Sequence, residues 1–211
     1  MTPYVTYLII GLTVYTSYQA FSDGSMKWKM MFNAYQIKHR KEWYRLFSSG
    51  LIHADWMHLG FNMLALYFFG PRVEYTFKNI FGDVKGVINY TLLYIASIAV
   101  SSFYNVVKHQ DNHNYNSLGA SGAVSAIVFS SIAIDPMNRI GFLFLPKELY
   151  IPGVVFGFLY LGYSQYMAKK QIDNIGHDAH FWGAVFGFVI TFVFEPKLLE
   201  DFFNKIMYSI G

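Results

Sequence analysis

Six apolar stretches, each closed by a polar or proline-containing break, divide this 211-residue chain. A helix crossing a hydrocarbon core of about 30 Å needs roughly 20 mostly apolar residues, and runs near that length limit what the chain can fold into. They fall at about 4–21, 57–77, 87–107, 121–134, 149–167 and 180–194. The fourth is stopped by Asp135-Pro136 and the sixth by Glu195-Pro196. The expected fold is an all-α membrane protein, a six-transmembrane-helix bundle. Six spans leave room for connections only, so 1–211 reads as a single transmembrane domain. The first stretch has no basic n-region and no small-residue cleavage site, and is expected to be a retained helix rather than a signal peptide.

Composition supports this reading. Apolar residues make up 54% of the chain, and about 62% with the 17 glycines included, against roughly 45–50% in an average soluble domain. Charged residues are 14%, where about 25% is usual. A soluble fold of this size would lack the polar atoms to cover its surface. The absence of cysteine excludes disulfides, thiolate metal sites and a cysteine nucleophile. A scattered net charge of +3 gives no footprint for nucleic acid. The expected partners are the lipid bilayer and transmembrane proteins, with no nucleic acid and no metal, and the expected location is a multi-pass position in a cell or inner membrane.

Two segments read as interfacial. Residues 27–55, the first loop, mix Trp28, Met30, Met31, Phe32, Trp43 and Tyr44 with Lys38, Arg40, Lys41 and Arg45, a blend suited to the headgroup zone. In the tail, 197–211, Leu198, Leu199, Phe202, Phe203, Ile206, Met207 and Ile210 share one helical face, as in an amphipathic helix lying on a membrane. Charge orients the chain weakly. With the N-terminus cytoplasmic, that side carries seven Lys and Arg and the other nine, six of them in the first loop; without the loop the balance is seven to three.

Polar side chains at membrane depth are functional candidates. The fourth stretch opens Gly119-Ala120-Ser121-Gly122 and has about 14 residues before its stop, about 21 Å of helix, so its N-terminus starts inside the membrane. The sixth opens Ala179-His180-Phe181-Trp182-Gly183 and has about the same length to its own stop. If six spans alternate, these two run in the same direction and bring Ser121 and His180 to matching depth. A serine hydroxyl needs an adjacent base to become a nucleophile, and histidine titrates in the range to serve. Gly183 and Gly187, at small-xxx-small spacing, together with Gly119 and Gly122, allow close approach of the two helices. A helix N-terminus supplies free backbone N–H groups for an oxyanion. His58 and Asn62, four apart on one face of the second stretch, can donate to the same charge, and His53 lies just before them. Each residue has a plainer reading: serine in a Gly-Ala-Ser-Gly run as a packing residue, histidine and asparagine as interhelical links. The joint depth, spacing and chemistry favour a Ser-His dyad.

At these residues the sequence resembles the rhomboid family of intramembrane serine proteases. Gly119-Ala120-Ser121-Gly122 matches the family's G-x-S-G motif, and 179–187 matches A-H-x-x-G-x-x-x-G. His53, His58 and Asn62 stand in H-x-x-x-x-H-x-x-x-N, Gly70 and Glu74 in G-x-x-x-E, and Trp43-Tyr44-Arg45 resembles the Trp-Arg motif of the first loop. The resemblance implies a six-helix rhomboid-like bundle with Ser121 as nucleophile and His180 as general base. It also implies an oxyanion hole from Asn62, His58 and the Ser121 N–H, with no cofactor. The implied substrate is a transmembrane helix cut near the outer face, with water entering from that side and the fifth helix or the loop cap as gate. Bacterial members stack a tyrosine, one turn after the nucleophile, on the catalytic histidine; here Ser125 holds that position. Either another aromatic orients His180 or the ring is held more loosely. The first loop also has Tyr44 where the motif's tryptophan is expected, unless Trp43 substitutes. Competing readings are a rhomboid-like pseudoprotease that binds transmembrane clients without cutting, and a transporter or metal or haem protein using His53, His58, His177 and His180.

Overall fold

The computed structural model describes residues 2–141, 146–170 and 176–210. The protein is a helical bundle. Helices stand at all six predicted stretches: α1 (Tyr4–Ser22), α5 (Trp56–Phe81), α6 (Asp83–Lys108), α7 (Ser121–Ile134), α8 (Gly153–Lys170) and α9 (His177–Phe194). Between α1 and α5 lie the short helices α2 (Gly24–Met30), α3 (Ala34–Arg40) and α4 (Arg45–Ser48), and α10 (Lys197–Ile210) forms the tail. Among the described residues, two helices are both long and apolar enough to cross a membrane by length and composition, α6 and α9. Helix α7 is apolar but has only 14 residues.

Boundaries move where capping and pairing outweigh hydropathy. Asp55 caps α5 by accepting the His58 N–H at 2.8 Å, and the helix then runs through Pro71 to Phe81, beyond the apolar run. Gly82, at φ +80°, turns the chain directly into α6. Helix α8 begins at Gly153, later than the apolar run, because Ile151–Pro152 pairs antiparallel with Arg139–Ile140.

Helix α7 lies at the centre. Its most extensive interface is with α9, and it also packs on α5, α6 and α10. The main core joins Leu66, Val73, Phe77, Tyr90, Leu93 and Ile127. Helix α1 is fastened to α5 by a buried carboxylate. Glu74 accepts from the N–H groups of Val5 (3.3 Å) and Thr6 (2.8 Å), donors left open by the first turn of α1. Lys78 pairs with Glu74 at 2.7 Å and donates to the Thr2 carbonyl at 3.0 Å, so the buried charge is matched and hydrogen-bonded.

The first loop has a core of its own, in which Phe32, Ala34, Ile37 and Leu46 bury against Val106 of α6. Phe32–Asn33 pairs antiparallel with Asn116–Ser117, joining this cap to the segment that leads into α7. Trp28, Trp43, Tyr44 and Phe47 stay exposed on it. The apolar face of α10 is divided: Leu198 and Phe202 are buried against the bundle, while Leu199, Phe203 and Met207 are exposed. Lys205 donates to the Ile134 carbonyl at 2.8 Å and so ties α10 to the open C-terminal end of α7. Gly211, the last residue of the predicted tail, lies outside the described residues.

Candidate active site

Ser121 is the first residue of α7, so its backbone N–H and those of the next two residues have no partner within the helix. The helix has no side-chain cap at Ala120. Directly behind Ser121 the backbone of α7 meets α9. A Cβ at Gly183 would stand 2.1 Å from the Gly122 carbonyl oxygen, and one at Gly187 would stand 2.2 Å from that of Ala126. Any side chain at either position would collide with backbone, so the small-xxx-small spacing sets how near the helices come. A Cβ at Gly122 would in turn meet Ser101 Oγ at 2.3 Å and the Ala179 carbonyl at 3.3 Å. Gly122 and Ala179 are therefore neighbours across this contact, and Ser121 and His180, each adjacent in the chain to one of them, are both half-buried. A cavity of about 30 Å³, lined by Ser121, Gly119, Ser101, Asn105, Ser49 and Ala179, adjoins Ser121. That is room for one or two waters among polar partners.

On the other side of Ser121, the turn before α7 is held by histidines. Gly119 has φ +118° and lies against the His58 ring, where an added Cβ would be 2.5 Å from Cε1. Both the backbone conformation and the space demand glycine. Gly119 N–H donates to the Ser49 carbonyl at 2.9 Å, and Ala120 N–H donates to His53 Nε2 at 3.3 Å. Because Nε2 accepts, the proton of neutral His53 is on Nδ1, which donates to Ser17 Oγ at 2.9 Å, and Ser17 donates on to the Leu51 carbonyl. Burial pushes the His53 imidazole down to about 3, with the neighbouring His58 adding in the same direction. His53 is thus a neutral strut beneath the loop. The rings of His53 and His58 meet edge to face at 5.0 Å. Asn62 is buried one turn beyond His58 and donates to its carbonyl at 2.9 Å, leaving its second amide hydrogen for another acceptor.

An aromatic ring does face His180, and it comes from α8. Tyr160 stacks on the imidazole with centroids 6.4 Å apart and planes 27° apart. Its hydroxyl is 2.6 Å from Ser125 Oγ, the residue standing where a tyrosine is expected. His177 is buried and meets His180 edge to face at 5.8 Å. Neither Arg45 nor Glu74 is among the residues that line the cavity beside Ser121. Arg45 is buried in the first loop, where it pairs with Glu42 and donates to the carbonyls of Trp28 and Met31 at 2.7 and 2.9 Å. Both residues serve the frame, since their partners are loop carbonyls and a helix end. Trp43 and Tyr44 are both exposed beside Arg45. Sequence reasoning missed Tyr160 and Ser17. Neither sits in a motif, and each finds its partner only through helix packing.

A family profile for the Rhomboid domain matches residues 40–197, most of the chain, including Ser121, His180, His53, His58 and Asn62. The chain belongs to the rhomboid family. Among curated proteins it is similar to the Arabidopsis thaliana protein named RHOMBOID-like protein 12, mitochondrial, at 26% identity over 184 residues, covering 84% of this chain and 54% of that one. It is 28% identical over 189 residues to Rhomboid protease GluP of Bacillus subtilis, covering 87% of this chain and 34% of the relative. It is 25% identical over 207 residues to Rhomboid protease GlpG of Haemophilus influenzae, covering 93% of both. The chain therefore spans about half and about a third of the first two relatives and nearly all of the third.

Proposed function

We propose that this chain is an intramembrane serine endopeptidase of rhomboid type, a single domain of six membrane spans (α1, α5, α6, α7, α8 and α9), that cuts transmembrane helices near the outer face. Ser121 is the nucleophile and His180 the general base. The observation that carries the reading is the glycine contact of α7 with α9, which sets the first turn of α7 beside the first turn of α9. His180 takes the Ser121 proton as the hydroxyl attacks the scissile carbonyl, then returns it to the leaving amine. The negative charge that develops on the carbonyl oxygen meets the Ser121 N–H, with Asn62 and His58 as side-chain donors. Water for the second step enters from the outer side.

The bilayer placement is supported by exposed apolar residues on α1, α5, α6, α8 and α9, among them Leu8, Met57, Phe61, Val84, Phe103, Phe158 and Val189. Large apolar side chains exposed in such number call for lipid or protein to cover them.

The test is cleavage of a reporter transmembrane substrate in proteoliposomes, with labelling by a serine-directed fluorophosphonate in parallel. Wild type is expected to cleave and to label. Ser121→Ala and His180→Ala are each expected to abolish cleavage while leaving the protein folded, since both side chains are only half-buried. Folded wild type that neither labels nor cleaves would instead mark a client-binding pseudoprotease.

A further inference from the structure

We propose that Tyr160 of α8 is the positioning residue for the His180 imidazole, tethered through Ser125 to the helix that carries the nucleophile; this rests on the dyad reading above. Ser121 and Ser125 are four apart and share one face of α7. Tyr160 therefore bridges the two halves of the dyad: its hydroxyl is bound to the α7 face that bears Ser121, and its ring lies along the base. The ring is itself fixed. Phe156 stacks beside it at 5.8 Å and Phe129 of α7 meets it at 5.5 Å, so it cannot turn without disturbing two neighbours and losing the hydrogen bond to Ser125. A flat, fixed ring against one face of an imidazole limits rotation of that imidazole, and a general base works only within hydrogen-bond reach of the proton that it takes. The dyad then depends on α8. That helix buries little beyond Gly153, Gly157, Ser164 and Met167, and Gly157 packs on the same Phe129. A shift of α8 away from α7 and α9 carries the tyrosine with it and removes that limit on the imidazole.

The experiment uses the full chain in proteoliposomes and compares Tyr160→Ala, Tyr160→Phe, Ser125→Ala and the double variant Ser125→Ala/Tyr160→Phe. The readouts are kcat and KM on a transmembrane reporter and the rate of fluorophosphonate labelling. Tyr160→Ala is expected to lower kcat and the labelling rate together by about 10²-fold, the scale of a small misplacement of a catalytic group, with KM within about twofold. Tyr160→Phe keeps the ring and loses the tether, so it restores most of that loss. It and Ser125→Ala each cost up to about tenfold, and the double variant is no worse than either single one, because all three remove the same bond. A folded Tyr160→Ala with wild-type kcat, or a loss confined to KM, overturns the proposal. So does an additive double variant. If Tyr160→Ala fails to fold, the two conservative variants and their double decide. The dyad reading is separately checked by Ser121→Ala: a wild type that labels while Ser121→Ala does not, combined with silent Tyr160 variants, sinks the positioning role alone.

Discussion

Helices α7 and α8 are neighbours built on opposite plans. Of the 14 residues of α7, all but Ser121 and Val128 are buried. Helix α8 is longer, at 18 residues, yet only Gly153, Gly157, Ser164 and Met167 are buried, and it exposes Val155, Phe158, Leu159, Tyr163 and Tyr166. One helix is enclosed by α5, α6 and α9; the other is laid on from outside through its small residues. The difference teaches where rigidity is concentrated. Helix α7, which starts at Ser121, is held between α5, α6 and α9, whereas the position of α8 rests on fewer buried residues, with Tyr160 reaching Ser125 and His180 and Tyr163 meeting His177.

The most severe way to break this contrast is to part α7 from α9. Gly187→Leu places a side chain where backbone already stands, with the Ala126 carbonyl 2.2 Å from the new Cβ. Backbone cannot yield as a flexible side chain can, so the variant is expected to lose the folded bundle, seen as loss of monodisperse protein and of fluorophosphonate labelling. By contrast, Gly162→Leu on α8, where a Cβ meets nothing within 4 Å, should remain folded and active. Equal behaviour of the two variants would erase the distinction.

A smaller effect probes the enclosed side chemically. Asn62 is buried on α5, which packs against α7. Asn62→Ala removes one donor proposed for the oxyanion and is expected to lower kcat by about 10²–10³-fold, while the Ser121 N–H and His58 remain. A full-rate Asn62→Ala enzyme contradicts that role.

Matched truncations then sharpen the packing argument itself. Ile127 on α7 has no exposed surface, and Ile127→Ala is expected to cost about 2–5 kcal/mol, the range for emptying a closed site. Phe158 on α8 is 74% exposed, and Phe158→Ala should change stability by no more than about 0.5 kcal/mol. Thermal unfolding of the two variants in the same bilayer mimic measures both. A large loss from Phe158→Ala would mean that α8 is packed more firmly than its burial indicates.

The two helices also differ in how well the sequence announced them. Helix α7 was legible to the residue, because a polar approach, a glycine-serine start and an Asp-Pro stop bracket a purely apolar run. Gly183 and Gly187 announced its docking partner, since small residues four apart on one helix face let another helix approach closely. Helix α8 was legible only as a hydrophobic stretch. Its true start depends on pairing of Ile151–Pro152 with Arg139–Ile140, a long-range event with no local signal. Tyr160 was illegible for the same reason: one tyrosine among 17 in the chain acquires its meaning only when α8 is laid across Ser125 and His180. The first loop looked like headgroup-zone sequence because its exposed aromatics and cations are the conspicuous part. Its buried Arg45, satisfied by two carbonyls, shows that one of those cations is internal.

The mildest prediction concerns the strut beneath α7. His53 accepts the Ala120 N–H only while neutral, and burial holds its imidazole at about 3 when folded against 6.5 for a free histidine. Between those values the unfolded chain binds one proton more than the folded one, so stability rises with pH across that window and the contribution is complete above about 6.5. Thermal stability should therefore be level near pH 7 and fall as the pH drops from 6.5 towards 5, above the range where carboxylates begin to take up protons. His53→Gln carries no titrating group. It should be less stable than wild type at pH 7, where the hydrogen bonds to Ser17 and Ala120 are at stake, yet lose less on acidification. An unchanged slope in His53→Gln would show that some other group loosens the protein in acid. A flattened slope would place the acid-sensitive joint at the entry to α7 rather than at α8, whose Tyr160 and Tyr163 meet His180 and His177 through their rings.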